Sequence, residues 1–291
     1  MKPVLVKKFY LDHVFAQNKI LFNTNNHHFE EKIPAPKDYN EVLDKGNTCN
    51  WIDKFHDNNY YKLILDSEDL KWMSNALFKI GIITRRFSEL YQDELIETAK
   101  KYAYFFENLP KNDKGWFVRS DSVSLKEGIH GVGPYKNITQ VIESIVTTSP
   151  NHCCFTENDT SCSLYFLPFI DIDSEKEFRI FVHNNQITAL SDQHLYTINE
   201  HWNTKNDNDI SIVVYKIIEY FENNIKDKMK YMENYVMDLA LIGEEETPYF
   251  IEPNSFGKYY AAGSALFHWI YDHDALYGES DSIEFRYVSE Y

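Results

Sequence analysis

Residues 66–81, "DSEDLKWMSNALFKIG", show the spacing of apolar and polar positions that is typical of a helix. Their apolar residues recur three and four positions apart, which places them on one helical face. Asp66 or Ser67 offers a side-chain oxygen to the N–H groups of the first turn, which lack partners within a helix. Gly81 is of a residue type that often follows the last helical turn, so we predict that the helix ends there.

Three further segments show helical periodicity. Residues 87–110 predict a helix that ends at Pro110, because proline cannot continue a helical hydrogen-bond ladder. Residues 137–150 predict a short helix. Residues 211–233 predict a long helix with a lysine-rich outer face. Its apolar face consists of Val214, Ile218, Phe221, Ile225, Met229 and Met232.

Runs rich in β-branched and aromatic residues lie between these helices and predict strands. The pair Asn184-Asn185 tolerates positive φ and therefore suits a tight turn between two of the runs. The predicted elements are strands over 114–121 and 163–173, a hairpin over 177–193, and two antiparallel strands over 235–243 and 248–257.

The order of these elements indicates an α+β fold, because strands and helices do not alternate as they do in a doubly wound sheet. Residues 1–60 read as irregular, with a loop around "NTNNHHFEEKIPAPKDYN". We predict an N-terminal irregular and helical region over 1–110, which includes the start of a small lobe, and a core over 111–291. One integrated domain over 1–291 is the alternative.

The charge balance restricts the partners of the protein. Formal net charge is −16, with 45 acidic residues against 29 basic ones. Such a chain repels polyanions at long range, which disfavours a broad nucleic-acid-binding face but allows a local basic pocket. An acidic surface also suits a protein partner with basic patches. The first 15 residues lack the apolar core of a signal peptide, and no run approaches the ~20 apolar residues of a membrane span. We therefore expect a soluble cytoplasmic protein without membrane contact.

The four cysteines include a local group, Cys153, Cys154 and Cys162, with His152 beside it. The spacing contains no CxxC, and adjacent cysteines rarely reach one tetrahedral zinc ion together. We expect reduced thiols; a zinc site is the alternative.

Three oxygen-bearing side chains interrupt the last two predicted strands. Asp238 lies in "YVMDLAL", and Glu252 and Asn254 lie in "FIEPN". If these strands pair, the three side chains gather on one face, since residues two apart in a strand share a face. Two carboxylates and an amide oxygen suit Mg²⁺, which prefers oxygen ligands. The alternative is a set of edge-strand polar residues that face solvent.

A basic set accompanies the acidic one. Arg119 and Arg179 lie in predicted strands, and Lys126 follows the first of these strands. Arginine makes bidentate phosphate contacts, and lysine acts as a compact positive charge. Each of them could instead pair with one of the surplus acids, such as Glu177. The chain has no GxxxxGK[ST] and no GxGxxG, which argues against a P-loop or a Rossmann dinucleotide site.

These residues lie in stretches that resemble the cell division cycle protein 123 family. The stretches are "FVRSDSVSLKEG", "EFRIFVHNNQITALSDQHLY" and "YVMDLAL…YFIEPNSFGKYYAAGSALFHW", in the order of that family. "IEPNSFG" followed by "SALFHW" is the most specific part. The resemblance implies an ATP-grasp-like fold with the nucleotide between two α+β lobes and an antiparallel sheet in the C-terminal lobe.

The resemblance also implies roles for individual residues. Arg119 and Lys126 would hold ATP phosphates, and Arg179 would reach the γ-phosphate or the transferred group, so that Lys126 and Arg179 are the candidate catalytic residues. Mg²⁺ would be ligated by Asp238, Glu252 and Asn254. The adenine would lie against the strand near 166–170, with contacts from Phe169 and Ile170. The segment after the hairpin offers further substrate or sugar contacts, or else a solvent-facing turn: Asp192, Gln193, His194 and Tyr196.

Two departures from the family pattern bear on function. The family's basic pair in the strand near 166–170 is replaced by Leu167-Pro168-Phe169, and its metal-binding aspartate is replaced by Glu252. Glutamate at that position is common in ATP-grasp enzymes. We therefore expect an ATP-dependent ligase that activates an acid, or an RNA end, with ATP and Mg²⁺. The alternative is an ATP-binding chaperone that assembles translation initiation factor 2 through its γ subunit, as the eukaryotic family members do.

Overall fold

The computed structural model describes residues 2–29, 31 and 33–290 of the chain. Its strands are β1 (Val4–Tyr10), β2 (Tyr61–Leu65), β3 (Trp116–Ser120), β4 (Cys162–Pro168), β5 (Glu177–His183), β6 (Gln186–Asp192), β7 (Tyr235–Ile242), β8 (Thr247–Ser255) and β9 (Ile283–Ser289). Its α-helices are α1 (Leu11–Ala16), α2 (Tyr39–Lys45), α3 (Ile52–His56), α4 (Ser67–Ala76), α5 (Ile82–Thr84), α6 (Gln92–Glu107), α7 (Ile138–Val146), α8 (Glu200–Asn203), α9 (Asp207–Tyr220) and α10 (His273–Leu276). Within these described residues, none of the helices has the length and apolar character that crossing a bilayer requires.

The chain divides into two compact units. The six-stranded unit comprises Met1–Gly46 and Ile172–Tyr291, and the three-stranded unit comprises Asn47–Asp171. The sequence analysis placed a boundary between two regions at residue 110. This boundary stays a prediction.

The six-stranded unit contains a sheet in the order β1-β9-β6-β5-β7-β8. The predicted antiparallel pairs are present: β5 pairs with β6, and β7 pairs with β8. The turn between β5 and β6 has positive φ at Asn184 (51°) and Asn185 (54°), as a two-residue hairpin requires. The predicted α+β class is confirmed, but the sheet is mixed, because β9 runs parallel to both β1 and β6.

The expectation that residues 1–60 are irregular was wrong in part: the predicted loop is confirmed for the described residues between 23 and 38, which form no helix or strand, but β1 and three short helices lie in the rest. β1 forms one edge of the six-stranded sheet and pairs along its whole length with β9, nearly 280 positions later in the chain. The residue types of such a short run do not by themselves predict a strand, because the strand is stabilised by pairing with a distant part of the chain. The short helices α1, α2 and α3 lie before and after the predicted loop.

The helix predicted over 66–81 begins as expected, since the Asp66 side chain accepts hydrogen bonds from the N–H groups of Glu68 and Asp69. The prediction that it ends at Gly81 was wrong: a π-helical turn carries the chain through Gly81 into α5. A Cβ atom at Gly81 would clash with the carbonyl group of Val146 at the end of α7. Glycine is therefore required here for close packing between helices and not for helix termination.

The helices predicted near 87–110 and 137–150 are α6 and α7, and α6 ends before Pro110 as expected. The helix predicted over 211–233 begins earlier, at Asp207, because the Asn206 side chain caps it through the N–H group of Asp209. Its predicted end was wrong: α9 ends at Tyr220 and a π-helical turn, Phe221–Ile225, follows it. The six apolar residues predicted for its inner face are all buried.

The three-stranded unit has the order β2-β4-β3, with both pairs antiparallel. α4, α6 and α7 pack their apolar faces onto a core that also includes Val118 and Phe166. β4 ends at Pro168, so the strand predicted over 163–173 is shorter than expected. Proline has no N–H group to donate to a continued ladder.

Candidate functional site

Arg179, Asp238 and Glu252 lie side by side on three neighbouring strands of the six-stranded unit. Asp238 of β7 is directly opposite Arg179 of β5 on one side and Glu252 of β8 on the other. Directly opposite residues project from the same face of a sheet. The predicted acidic and basic side chains of this unit therefore form one row on one face.

A β-bulge brings Glu252 into this row. The pairing of β7 with β8 shifts by one position next to Asp238, so that Leu239 is opposite Phe250 while Asp238 is opposite Glu252, and Ile251 is the extra residue. Without the shift, Ile251 would be opposite Asp238, and Glu252 would project from the other face. The bulge thus places both carboxylates on one side of the sheet.

Arg179 and Asp238 form a buried bidentate ion pair. The Arg179 Nε atom donates to Asp238 Oδ1 at 2.9 Å, and Nη2 donates to Oδ2 at 2.8 Å. The two side chains are 15% and 4% exposed. Burial lowers the pKa of Arg179, but the neighbouring Asp238 carboxylate more than compensates, so that the pKa of Arg179 is raised overall. The guanidinium is held as a fixed cation in one orientation.

Asn254 is the third residue of the predicted metal-binding set. It lies two positions after Glu252 on β8 and shares its face. Its Nδ2 atom lies 3.4 Å from Asp238 Oδ2, a long hydrogen bond. The structure therefore brings Asp238, Glu252 and Asn254 together, as the sequence predicted.

A loop over residues 259–269, which we call the cover segment, holds the other side of Arg179. The carbonyl oxygen of Gly263 accepts a hydrogen bond from Arg179 Nη1 at 2.9 Å. A side chain at Gly263 would collide with Asn23 Oδ1 and would approach Arg179 Nη1. The backbone of the cover segment thus contacts the guanidinium directly, and a side chain at Gly263 would require the Asn23 side chain to move.

The polar row extends across the whole sheet. Ser191 of β6 is opposite Arg179, Arg286 of β9 is opposite Ser191, and Lys7 of β1 is opposite Arg286. The Ser191 hydroxyl accepts a hydrogen bond from the Leu266 N–H group of the cover segment. Every strand of this sheet thus contributes a polar side chain to the row.

Arg286 was missed in the sequence, although its environment is the most highly charged in the row. Its guanidinium donates to both oxygens of Asp272, at 2.7 and 2.9 Å, and to Glu284 Oε2, at 2.7 and 3.0 Å. It also donates to the Leu266 carbonyl and lies 3.8 Å from the Phe267 ring centroid. The signal was present in "IEFRYVS", where an acid and an arginine interrupt an apolar run as they do in "EFRIFV".

Asp192 lies at the end of β6 and is fully buried. Its carboxylate accepts hydrogen bonds from the His194 N–H group at 3.0 Å and from Asn199 Nδ2 at 2.9 Å. Burial raises the pKa of Asp192 to about 7. These partners are all internal to the chain, and the contact predicted between Asp192 and a nucleotide stays a prediction.

Tyr196, from the same segment, is more open. It is 39% exposed, and its hydroxyl donates to Asn18 Oδ1 at 3.0 Å and accepts from Asn23 Nδ2 at 3.1 Å. Phe15 lies beside its ring, with centroids 5.7 Å apart. Residues of the N-terminal region, for which the sequence predicted no role, thus contact Tyr196 directly.

Four further predicted residues, Arg119, Lys126, Phe169 and Ile170, belong to the three-stranded unit. Arg119 is 2% exposed; its Nε atom donates to Thr48 Oγ1 at 2.8 Å, and its guanidinium lies 4.8 Å from the Trp51 ring centroid. Lys126 is exposed in a single 3₁₀ turn, Leu125–Glu127. The predicted phosphate contacts of Arg119 and Lys126 stay predictions.

Phe169 and Ile170 follow the last residue of β4 and are half-buried. The Phe169 N–H group donates to the Gly115 carbonyl at 3.0 Å, which fixes the backbone at this point. Their predicted contact with an adenine ring stays a prediction.

The donor set on β7 and β8 fits a magnesium ion in its chemistry. Asp238 and Glu252 supply carboxylate oxygens, Asn254 supplies an amide oxygen, and all three share one face. Both Asp238 oxygens already accept hydrogen bonds from Arg179, and Oδ2 also accepts the long one from Asn254, so the lone pair that remains for a metal is on Oδ1. Elsewhere in the described part of the chain, ligand atoms of His273, Asp274 and Glu279 cluster at an exposed site.

Comparisons with known proteins agree with this geometry at the level of family and fold. The model of the D123 family matches residues 137–291, which contain the whole Arg179–Glu252 row. Comparison with curated protein sequences gave no match.

Two solved structures from Schizosaccharomyces pombe resemble the fold. C-terminally truncated Cdc123 matches with 16% identity and a TM-score of 0.54, over 86% of this chain and 97% of that one. Cdc123 itself matches with 15% identity and a TM-score of 0.50, over 85% of this chain and 97% of the other. D-alanine–D-alanine ligase from Bacillus anthracis is more distant, with 12% identity and a TM-score of 0.32 over 75% and 58% of the two chains.

Proposed function

Because this chain belongs to the D123 family, we propose that it binds ATP together with Mg²⁺ and uses the bound nucleotide to assemble translation initiation factor 2 through its γ subunit. The observation that carries the nucleotide part is the row of Arg179, Asp238 and Glu252. A fixed cation next to two carboxylates and an amide, all on one face, has the composition of a metal–phosphate site.

In this proposal Asp238, Glu252 and Asn254 hold Mg²⁺ through their side-chain oxygens. The bound ion supplies positive charge that neutralises the phosphate oxygens. Asp238 has a second task, since it also fixes the orientation of Arg179. Three of the five Arg179 N–H groups donate to Asp238 and Gly263, and the other two are available in this proposal to a terminal phosphate.

The proposal includes nucleotide contacts from Lys126, Arg119, Phe169, Ile170 and Asp192. Lys126 is the simplest of these to test, because its exposed side chain leaves the fold unaffected when it is shortened. Replacing Lys126 with alanine should weaken ATP binding about tenfold, as expected for the loss of one charge-assisted contact.

The proposed partner agrees with the charge of the six-stranded unit. This unit carries 28 acidic residues against 16 basic ones, whereas the other unit carries 17 against 13. Excess negative charge speeds the association with a basic protein surface and makes it sensitive to salt.

Calorimetric titration with Mg-ATP tests the nucleotide site. We expect Glu252→Gln to reduce the affinity at least about 100-fold, because an amide is a poor substitute for a metal-binding carboxylate. The matched control is Glu245→Gln, which makes the same change at the exposed β7–β8 turn and should bind as the unaltered protein does. Equal affinity of both variants would remove Glu252 from the site.

A second experiment tests the partner. Purified γ subunit of initiation factor 2 is titrated into the protein with Mg-ATP, without nucleotide and with the Glu252→Gln variant. We expect binding that is tighter with Mg-ATP and that weakens as salt is raised. Failure of the γ subunit to bind in any condition would reject the assembly role and leave the nucleotide site untouched.

A ligase remains the second candidate, and the specific observation in its favour is Glu252. Glu252 lies directly opposite Asp238. The cell division cycle protein 123 family has aspartate at the position of Glu252, whereas ATP-grasp enzymes commonly have glutamate there. A ligase consumes ATP, so ADP or AMP should form when amine, carboxylate or RNA-end acceptors are added. ATP that is bound but unchanged across such a panel would favour the assembly role.

A further inference from the structure

Residues 23–26, which we call the N-terminal tether, run beside the cover segment and bond to it repeatedly. The Asn23 N–H group donates to the Ala265 carbonyl at 2.6 Å, and the Asn26 N–H group donates to the Tyr260 carbonyl at 3.1 Å. Asn26 Nδ2 donates to the Tyr259 carbonyl at 3.2 Å. The tether lies outside the residues matched by the D123 family model, so it is a feature of this chain beyond that match.

Thr24 makes the central contacts of the tether. Its N–H group donates to Ser264 Oγ at 2.9 Å, and its carbonyl accepts from the Ser264 N–H group at 3.0 Å. The two hydroxyls lie 2.9 Å apart, and the Thr24 hydroxyl accepts from the Trp269 N–H group at 3.1 Å. Both Thr24 and Ser264 are buried at 1% and 0% exposure, so that water does not replace a lost partner.

Ser264 directly follows Gly263, whose carbonyl holds Arg179. The position of that carbonyl therefore depends on the contacts between Ser264 and Thr24. Asn23 adds to the constraint, because its Oδ1 atom occupies the space that a side chain at Gly263 would need. A continuous path of close contacts leads from Thr24 through Ser264 and Gly263 to Arg179.

We propose that Thr24 is a positioning residue for the Arg179–Asp238 site. Through Ser264 it sets the Gly263 carbonyl, which fixes the Nη1 side of the Arg179 guanidinium, while Asp238 fixes the Nε side. The N-terminal tether thereby determines the direction of the two Arg179 N–H groups that the proposed function assigns to a phosphate. This consequence for nucleotide binding rests on the proposed function; the control of Arg179 does not.

Solvent exchange of the arginine Nε–H group, measured by NMR, tests the proposal without any ligand. The chain contains five arginines, so the Nε–H spectrum is small, and the Arg179→Lys variant identifies the Arg179 signal. Arg119, whose Nε atom donates to Thr48 in the three-stranded unit, serves as the internal reference.

We expect Thr24→Val, which keeps the side-chain shape and removes the hydroxyl, to accelerate Arg179 Nε–H exchange about tenfold, equivalent to about 1.4 kcal/mol. Thr24→Ser keeps the hydroxyl and should exchange within about twofold of the unaltered protein. The matched control is Thr188→Val, because Thr188 is also buried and donates to the Phe181 and Leu276 carbonyls. It should leave Arg179 exchange unchanged.

Two results would overturn the proposal. One is unchanged Arg179 exchange in Thr24→Val; the other is equal acceleration in Thr188→Val, which would indicate general loosening. If Thr24→Val does not fold, Ser264→Ala removes the other hydroxyl of the pair and should give the same acceleration. Unchanged exchange in that variant would also overturn the proposal.

Titration with Mg-ATP separates this inference from the proposed function. We expect Thr24→Val to weaken Mg-ATP binding about tenfold and Thr24→Ser to restore it. If the unaltered protein does not bind Mg-ATP, the proposed function fails, whereas the exchange experiment still decides whether Thr24 positions Arg179. If Arg179 exchange accelerates but Mg-ATP affinity does not change, the positioning role has no consequence for the nucleotide, and the inference is rejected as a statement about the site.

Discussion

The surroundings of Arg179 and Arg286 are two versions of one arrangement on the same face of the sheet. Each guanidinium is bidentate to an aspartate and donates to a carbonyl of the cover segment. Arg286 makes five hydrogen bonds, enough for all five of its N–H groups, and its side chain is 6% exposed. Arg179 donates through three and is 15% exposed.

The difference shows how one motif serves two purposes. Arg286 lies between two carboxylates, Asp272 and Glu284, and packs against the Phe267 ring of the cover segment, so that its charge is neutralised within the fold. Arg179 has one carboxylate as its ion-pair partner and the half-buried Glu252 one strand further away. Arg179 keeps N–H groups that can donate to a ligand and lies at a less buried position, so it suits ligand binding better than Arg286, all of whose N–H groups donate within the protein.

The largest effect on stability is expected for Arg286→Met. The substitution leaves Asp272 and Glu284 without their common cation and should lower the free energy of unfolding by about 3–5 kcal/mol. Chemical denaturation measures this loss. A loss below about 1 kcal/mol would contradict the assignment of Arg286 as a structural ion-pair centre.

The next largest effect concerns Asp192, a buried carboxyl on the same sheet whose hydrogen-bond donors are neutral groups. Its pKa in the folded protein, about 7, lies above the ordinary value of 3.8, so that the folded state binds the proton more tightly than the unfolded state. Stability should therefore fall as pH rises from about 4 to about 7, by about 2–3 kcal/mol between pH 5 and pH 7.

The Asp192→Asn variant should lack this contribution, because an amide does not ionise. Denaturation of both proteins at several pH values gives the comparison. Parallel stability–pH profiles would mean that Asp192 is already ionised at low pH in the folded protein.

A smaller loss of stability, about 2 kcal/mol, is expected for Arg179→Met. Arg179→Met removes the ion-pair partner of one carboxylate, Asp238, whereas Arg286→Met removes that of two. Repulsion between Asp238 and the half-buried Glu252 is part of the loss. Mg-ATP affinity should nevertheless fall at least about 100-fold, whereas a variant at Arg286 that folds should bind normally. Denaturation measures the stability of both variants, and titration measures their Mg-ATP affinity. The prediction is contradicted if the same arginine has the larger effect on both stability and affinity.

The smallest effect is expected for Lys7→Met at the open end of the row. Lys7 Nζ lies 2.7 Å from Glu284 Oε1, but the lysine side chain is 39% exposed, and solvent screens the pair. The loss should be about 0.5–1 kcal/mol and should shrink as salt is added. A loss as large as that of Arg286→Met would show that Lys7, and not Arg286, neutralises Glu284.

The candidate site was predictable in part. Glu252 and Asn254 could be placed on one face because they lie two positions apart in one strand, but alternation alone did not place Asp238 on that face, since this depends on the β-bulge. The β-bulge at Ile251 was not predictable, since a one-residue shift in register leaves no mark in the residue types on either side. Nor could the partner of Arg179 be predicted, because the chain offers 45 acidic residues and only the register of β5 with β7 selects Asp238.

The amino-acid sequence by itself determined the local features of this protein. The Asp66 cap, the turn at Asn184-Asn185 and the buried face of α9 depend on neighbours within about four residues, whose geometry is the same in any fold. Tertiary structure decided the rest. Pairing of β1 with β9, the contact of Gly81 with the α7 backbone and the contacts of Thr24 with Ser264 join residues about 65 to 280 positions apart. These contacts form only when the folded chain brings distant residues together, so that no local sequence pattern predicts them.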